Sequence, residues 1–551
     1  MNSSADPTRQ SSRYANCALR NGVVYTGGAH PRYVDSLVVR DGAIAWAGFW
    51  ADCPAELRQA VHLEQVDLRG RMIVPSFTDS HAHPVDGFQL ISDADLSGAA
   101  TFDAIAEGVR RCAQAHPERS WVMAGNVVLD ALGEHLCREA LDRLVPDRPL
   151  LLIGHDVHSG CVNSAALRVL GVDASTPDPE GGIYERDGEG RPTGVVHEGA
   201  LYGLFRHLPQ MAPAASARAL DRAQQQAHRF GITGWFDAMV GQRLVDAYAS
   251  ARDNDELRVN VGLGLLVTPN TALAPQIEQL RQWRAAHDGG RLQLHTAKFF
   301  IDGVVESYTA ALLDDYADAA RRGDTHWAPQ QLREAIFAAD AQGFDLHFHT
   351  IGDRAVRMVL DVLEALHRER PRADRRPQLA HVQMIDSADV ARFAQLGAIA
   401  SIQAVWADAS AEMQALYLRR IGAKRLARQY VFGDLARSGA TLSGGSDWPV
   451  STQNPLVAIE HAVRRASAGD ADAPVFMPEQ RVDLATMLHA YTQGSAFSLR
   501  MDDRQGEIAA GRPANLAILS QDLRAVRPHE LAGVDVEMTL FGGDAVYGDL
   551  G

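Results

Sequence analysis

The sequence predicts an α/β chain: a (β/α)8 TIM-type barrel, bracketed by a composite β-sandwich from both termini and carrying an inserted lid subdomain. Three observations predict it. Eight short β-rich runs alternate with helix-like segments through the middle of the chain, the pattern of βα units around a parallel sheet. Strand-and-turn texture at the N-terminus returns at the C-terminus, so the two ends are expected to pair. Finally, the first run ends at 79 and the second begins at 231, a gap far beyond one crossover that calls for an inserted unit over the barrel mouth.

Taken in order, residues 1–13 (MNSSADPTRQSSR) are polar and are expected to be disordered. The sandwich is expected from 14–70 plus 505–551, with Asn21-Gly22 and Asp41-Gly42 at hairpin tips. The barrel is expected over 71–504, with about 90–225 as the lid. Its strands are read at 72–79, 231–237, 259–267, 294–302, 344–350, 377–382, 398–403 and 440–447.

Composition narrows the function. The 551 residues are 46% hydrophobic and 22% charged, as in globular proteins, and carry a formal charge of −16 from 53 basic and 69 acidic residues. Without clustered cations, a nucleic-acid partner is not expected. No run reaches the roughly 18 apolar residues of a membrane span, and no signal-peptide pattern opens the chain, so a soluble, cytoplasmic protein is expected. Cys17, Cys53, Cys112, Cys137 and Cys161 are scattered without a C-x-x-C pair. They read as buried thiols, neither a disulfide framework nor a thiolate zinc site.

Histidine carries the chemistry. In Ser-His-Ala-His-Pro at 80–84, directly after an apolar strand, His81 and His83 face the same side, separated by roughly 6–7 Å along the strand. That suits two imidazoles on one metal centre; the lesser alternative for the motif alone is a pair of loop histidines facing solvent. Polar groups recur at later strand ends: Lys298 in TAKFFIDG, His349 in HFHTIGDRA, His381 in LAHVQ and Asp447 in GGSDWP, where a barrel places catalytic groups. A core histidine would explain His381 alone, and an ion pair Lys298 alone. Jointly that account needs one coincidence per strand. His347 shares the inward face with His349, and either could be the ligand.

The ordered set H-x-H, Lys, His, His, Asp resembles the amidohydrolase superfamily. VPSFTDSHAHP, AKFFIDGVVESYTAALLDDY, HTIGDRAV and GEIAAGRPANLAIL are similar to its YtcJ-like branch, which includes N-substituted formamide deformylases, as is DVHSGCVNSAAL with His158 and Asn163. The resemblance implies two divalent ions, usually zinc. His81 and His83 would hold the more buried ion, His349 and His381 the more exposed one, Lys298 would bridge them as a carbamate, and Asp447 would touch the first. The family word beginning at His349 selects it over His347, which is left one layer deeper as packing. The resemblance also implies a small-molecule substrate and a homodimer, although no interface signature stands out.

Where relatives often carry Arg this chain has Tyr308, which cannot clamp a carboxylate bidentately, so a less acidic or more aromatic substrate is expected. Ala380 stands where a Glu is frequent, and Asn515 where an acid is. The lid wall around Asn126 and Asp130 lacks a usual Gly-Trp-Asp word. His158, Asp302, Tyr308, Gln403, Trp406 and Trp448 are expected to line the pocket, with Asp302 alternatively orienting Lys298 and the tryptophans alternatively packing. A divalent ion brings the pKa of bound water to about 7, and Asp447 is then placed as proton shuttle. The expected function is hydrolysis of an amide, N-formyl or N-acyl amine, with cyclic amides close behind. The alternatives are a metal-dependent decarboxylase or retro-aldol lyase on the same barrel, and a non-catalytic binder.

Overall fold

Eight parallel strands form one sheet: Phe77–Ala82, Ile232–Val240, Asn260–Val267, Leu292–Phe300, Asp345–Thr350, Gln378–His381, Ile399–Ile402 and Thr441–Gly444, each paired with the next. The structure, a computed structural model, describes residues 13–550 except 61, 91–93, 95, 97, 155–157, 180–181, 206, 209–211 and 408–409. The last strand is drawn onto the first by polar bonds that close the barrel. The Asp447 amide donates to the His81 carbonyl at 2.7 Å, and Ser446 donates to buried Asp79 from its amide (2.9 Å) and its hydroxyl (2.6 Å).

Every residue of Asp345–Thr350 is buried, as expected of a parallel strand covered by helices outside and packed within. The following helix, Asp353–Glu369, turns Val356, Val359, Leu360, Leu363 and Leu366 to the sheet at helical spacing. Ser387–Leu396 is capped by the Asp386 side chain accepting from the Ala388 amide, and stops at Gly397 with φ 62.

The run 72–79 is not one strand. Met72–Pro75 pairs antiparallel with Leu516–Leu519 and parallel with Val23–Tyr25, and the chain passes into the barrel sheet only at Phe77. Ser76 makes the crossing: its amide donates to the Asn515 carbonyl at 3.0 Å, and its hydroxyl meets Thr233 and Gln505. The sandwich thus takes in Met72–Pro75, and its core joins Cys17, Leu19, Leu37 and Ile73 to Leu516, Ile518, Met538 and Leu540 from the far end. Asn21 and Asp41 take the positive φ that their turns demand. Of the segment expected to be disordered, 1–12 lies outside the described residues. Arg13 opens a short 3-10 turn and pairs with Asp549. Cys17, Cys53, Cys112 and Cys161 are buried, and all five cysteines are free thiols.

The insertion has its own mixed sheet, in the order Gly182–Arg186, Pro192–Glu198, Ser159–Val162, Leu150–Gly154, Val122–Val127. Alternation splits its apolar residues between two cores, Leu150 and Leu152 on one face, Leu151 and Ile153 on the other. Asn163 caps Ser164–Leu170, accepts from the Leu150 amide and donates to the Val145 and Arg148 carbonyls, a structural hub. The next helix, Pro213–Arg229, sends Ala219, Leu220, Ala223 and Ala227 into the barrel's core instead. The Asp130 side chain lies outside the described residues. Among the described residues, no helix is long and apolar enough to cross a membrane.

Candidate metal centre

The C-terminal strand ends bring the polar set together. His81 Nε2 and His83 Nε2 lie 3.3 and 3.1 Å from one oxygen of Asp447, and potential ligand atoms of His81, His381 and Asp447 all fall within 4.8 Å of one another. The His349 ring centroid is 4.5 Å from that of His381, which is 4.9 Å from that of His81. Lys298, fully buried, stands one layer below with its ammonium position 4.6 Å from the Phe300 ring centroid. His81, His83, Lys298, His349, His381 and Asp447, drawn from five strand ends, therefore gather at one place, with Lys298 beneath the others.

The donor set fits a divalent cation. Among the described residues, both ring nitrogens of His349 are buried without a hydrogen-bond partner, and Asp447 Oδ1 has the ring nitrogens of His81 and His83 beside it, an arrangement that is costly unless something satisfies it. Imidazole nitrogens with a carboxylate are ligands of zinc and similar ions. Burial holds His349 and His381 well below the usual histidine range, so each keeps a lone pair, and burial brings His81 down to about 4 against the pull of Asp447. Burial alone would raise Asp447, but His81 and His83 hold it well below the usual carboxylate range.

His347 is more than packing. Its Nε2 is 3.2 Å from His81 Nδ1 and its Nδ1 is 3.3 Å from Lys298 Nζ, while Phe236 stacks on its face. An ammonium at Lys298 can only donate, which forces the chain to run from Lys298 to His347 to His81 and leaves the His81 proton on Nε2. A neutral or carboxylated Lys298 lets the chain run the other way and frees His81 Nε2 as a ligand atom. Burial lowers Lys298 to about 7, where the uncharged amine is accessible.

The remaining expected residues divide. Gln403 Oε1 accepts from His381 Nδ1 at 2.9 Å, and Trp406 stacks on the same ring at 4.9 Å with planes 3° apart. Together they turn His381 Nε2 toward the chamber. Asp302 spends its oxygens on the amides of Ala311, Ile351 and Gly352 at 2.8–3.0 Å. Its nearest ring is His349, 3.4 Å away, so it braces that strand end and not Lys298. Burial raises it to about 7 against those three bonds. Tyr308 sits at φ 63 with its hydroxyl shared by Asp318 and Arg420 and its ring flanked by the Arg420 and Arg321 guanidiniums. Trp448 packs on Phe88, centroids 4.5 Å apart, and supplies the carbonyl that receives the His83 amide.

A cavity of about 1210 Å³ opens from the centre. His158 lines it, while Asp302, Tyr308, Gln403, Trp406 and Trp448 are outside its lining. The wall is built by Phe300, Met239 and facing sides of Pro213–Arg229 and Gln242–Asp253, with Arg243 paired to Asp86 at its side. Asp237 was missed in the sequence although it ends the second strand run as Asp447 ends the eighth. It is fully buried, takes a 2.8 Å bond from the Tyr248 hydroxyl, and burial raises it to about 7. Glu198, which accepts from His158 Nδ1 at 2.9 Å, was also missed, and nothing around it in the sequence marks it.

Known proteins converge on the same conclusion. A family model described as "Amidohydrolase family" matches residues 64–547. The amidohydrolase-type protein YtcJ of Bacillus subtilis (strain 168) is 27% identical over 96% of this chain and 98% of its own. The N-substituted formamide deformylase of Arthrobacter pascens is 28% identical over 96% and 97%. A solved structure from Pyrococcus furiosus, titled as an uncharacterized metal-dependent hydrolase, superposes with a TM-score of 0.71 at 25% identity, covering 92% of this chain and 99% of that one. With this barrel, this convergent donor set and a match along nearly its whole length, the chain belongs to the amidohydrolase family of metal-dependent hydrolases.

Proposed function

We propose that the protein hydrolyses a C–N bond of a small organic substrate: an amide, N-formyl amine or N-acyl amine, open or cyclic. Two divalent ions, zinc in the first instance, would be held by His81, His83, Lys298, His349, His381 and Asp447, with Lys298 serving as a ligand once carboxylated. The observation that carries this reading is the gathering of four imidazoles and a carboxylate at one wall of a large cavity, with a buried lysine behind them. The deformylase relative supports the choice of an N-formyl or N-acyl group.

When bound, a divalent ion here lowers the pKa of water to about 7 and polarises a substrate carbonyl. The chain's own residues do the rest. Asp447 Oδ1, buried between His81 and His83, takes the proton of the attacking water and hands it to the departing amine. Gln403 and Trp406 fix the ring of His381 so that its orientation need not be found at each turnover. Lys298 reaches CO2 through its uncharged form, made accessible at neutral pH by burial.

The test is amine release from a panel of N-formyl and N-acyl amines by zinc-loaded protein, with metal counted per chain. Amine release with two ions per chain is expected. CO2 release from aromatic acids with one tightly held ion, or ligand binding without turnover, overturns the reading.

A further inference from the structure

Glu198 ends the strand Pro192–Glu198 at φ 49, a conformation side chains other than glycine seldom adopt, and is 1% exposed. A carboxylate so buried is retained as an ion only when donors surround it. Its donors come from two parts of the molecule. His158 Nδ1, from the insertion, is 2.9 Å from Oε2. Thr309 and Ser307 hydroxyls, from the loop after the fourth barrel strand, are 2.9 and 3.4 Å from Oε1.

The backbone repeats the tie. The Glu198 amide donates to the His158 carbonyl at 2.8 Å, one step beyond the Ser159↔His197 register of the inserted sheet. Gly303 packs against the pair so tightly that an added Cβ would lie 2.7 Å from Glu198 Oε1 and 2.2 Å from Thr309 Oγ1. The His158 ring in turn lines the cavity, 5.9 Å from the His349 ring centroid. A buried acid therefore links a cavity-wall imidazole to the barrel loop that starts at Asp302, which braces His349.

We propose that Glu198 is a positioning residue that fixes the tautomer and orientation of His158 over the reaction chamber, and that its bonds to Thr309 and Ser307 make this orientation depend on docking of the insertion against the barrel. An imidazole donating Nδ1–H to a carboxylate carries its lone pair on Nε2 and cannot swivel without breaking that bond. The inference rests on the hydrolase reading only for its kinetic consequence.

The experiment uses the zinc-loaded full chain with ¹⁵N-labelled histidine, His158→Asn serving to assign the His158 signals. In the wild type His158 is expected as the Nδ1–H tautomer. Glu198→Ala should abolish that preference and lower kcat about 10-fold or more, the scale seen when an outer partner of a functional histidine is lost, with KM within about twofold. Glu198→Gln keeps an acceptor for Nδ1–H and should restore both readouts toward wild type. Thr309→Val, a milder loss on the far side of the carboxylate, should move both in the same direction by less.

Kinetics are read on the amine-releasing panel and on p-nitrophenyl acetate. A wild-type tautomer and kcat in Glu198→Ala overturns the proposal, as does a loss confined to melting temperature or equal impairment of the Ala and Gln variants. The spectrum needs no turnover. If the tautomer follows Glu198 while no amide is cleaved, the hydrolysis reading fails alone; if amides are cleaved while the tautomer ignores Glu198, this inference fails alone.

Discussion

Replacing Lys298 by Met should make the metal-free protein more heat-resistant while abolishing hydrolysis. The amine is charged in the unfolded chain below its ordinary 10.5, but in the fold it stays neutral until pH falls to about 7. Between those limits folding strips a proton, at about 1.4 kcal/mol per pH unit. The burden is about 5 kcal/mol at pH 7, constant below, and falls to about 2 kcal/mol at pH 9. Methionine removes it, at the loss of the 3.3 Å contact with His347 Nδ1, worth about 1 kcal/mol. The net gain is about 4 kcal/mol at pH 7 and about 1 kcal/mol at pH 9.

Unfolding entropy of about 2.1 cal/mol/K per residue over 551 residues makes 1 kcal/mol worth about 1 °C. Calorimetry of both proteins after chelation should therefore find the variant melting about 4 °C higher at pH 7, with the gap closing toward pH 9. A variant that melts at or below wild type at pH 7, or a gap that widens with pH, would refute the reasoning. Loss of function at a buried charged group beside a gain in stability is the expected opposition between activity and stability.

Asp447→Asn should keep most of its metal, measured by mass spectrometry, and lose about 10²–10⁴-fold in kcat; unchanged turnover would remove Asp447 from proton transfer. Gln403→Leu frees the His381 ring and should weaken metal binding about 10–100-fold in chelator competition, with little change in melting of the metal-free chain. Trp448→Ala empties a core site against Phe88 and should cost about 3–5 kcal/mol of stability. Because Trp448 lies outside the cavity lining, the substrate preferences of that variant should match wild type across the amine panel.

The barrel strands were legible because a parallel strand buried on both faces writes a short apolar run, and a polar residue at its C-terminal end stands out against it. His81, Lys298, His349, His381 and Asp447 were singled out as candidates that way, and Asp237 obeys the same rule. The break at Ser76 was not legible, since Met72–Pro75 and Phe77–Ala82 are buried alike in two different sheets. Tyr308 and Trp448 were placed by closeness to strand ends, whereas their surroundings are set largely by Arg420 and Phe88, distant in sequence. The helical cavity wall and Glu198 arise from surfaces that meet only in the folded chain, and no local pattern announces such a meeting.

The peptide that carries His81 is made long before Leu516–Leu519, yet the strand just ahead of it, Met72–Pro75, has one of its two neighbours there. During synthesis that edge stays open for more than four-fifths of the chain, a length over which exposed strand edges invite wrong partners. Seating of the first histidine pair is thus tied to the arrival of Leu516–Leu519, so the strand that leads into the barrel is anchored only after the whole barrel sequence has been made.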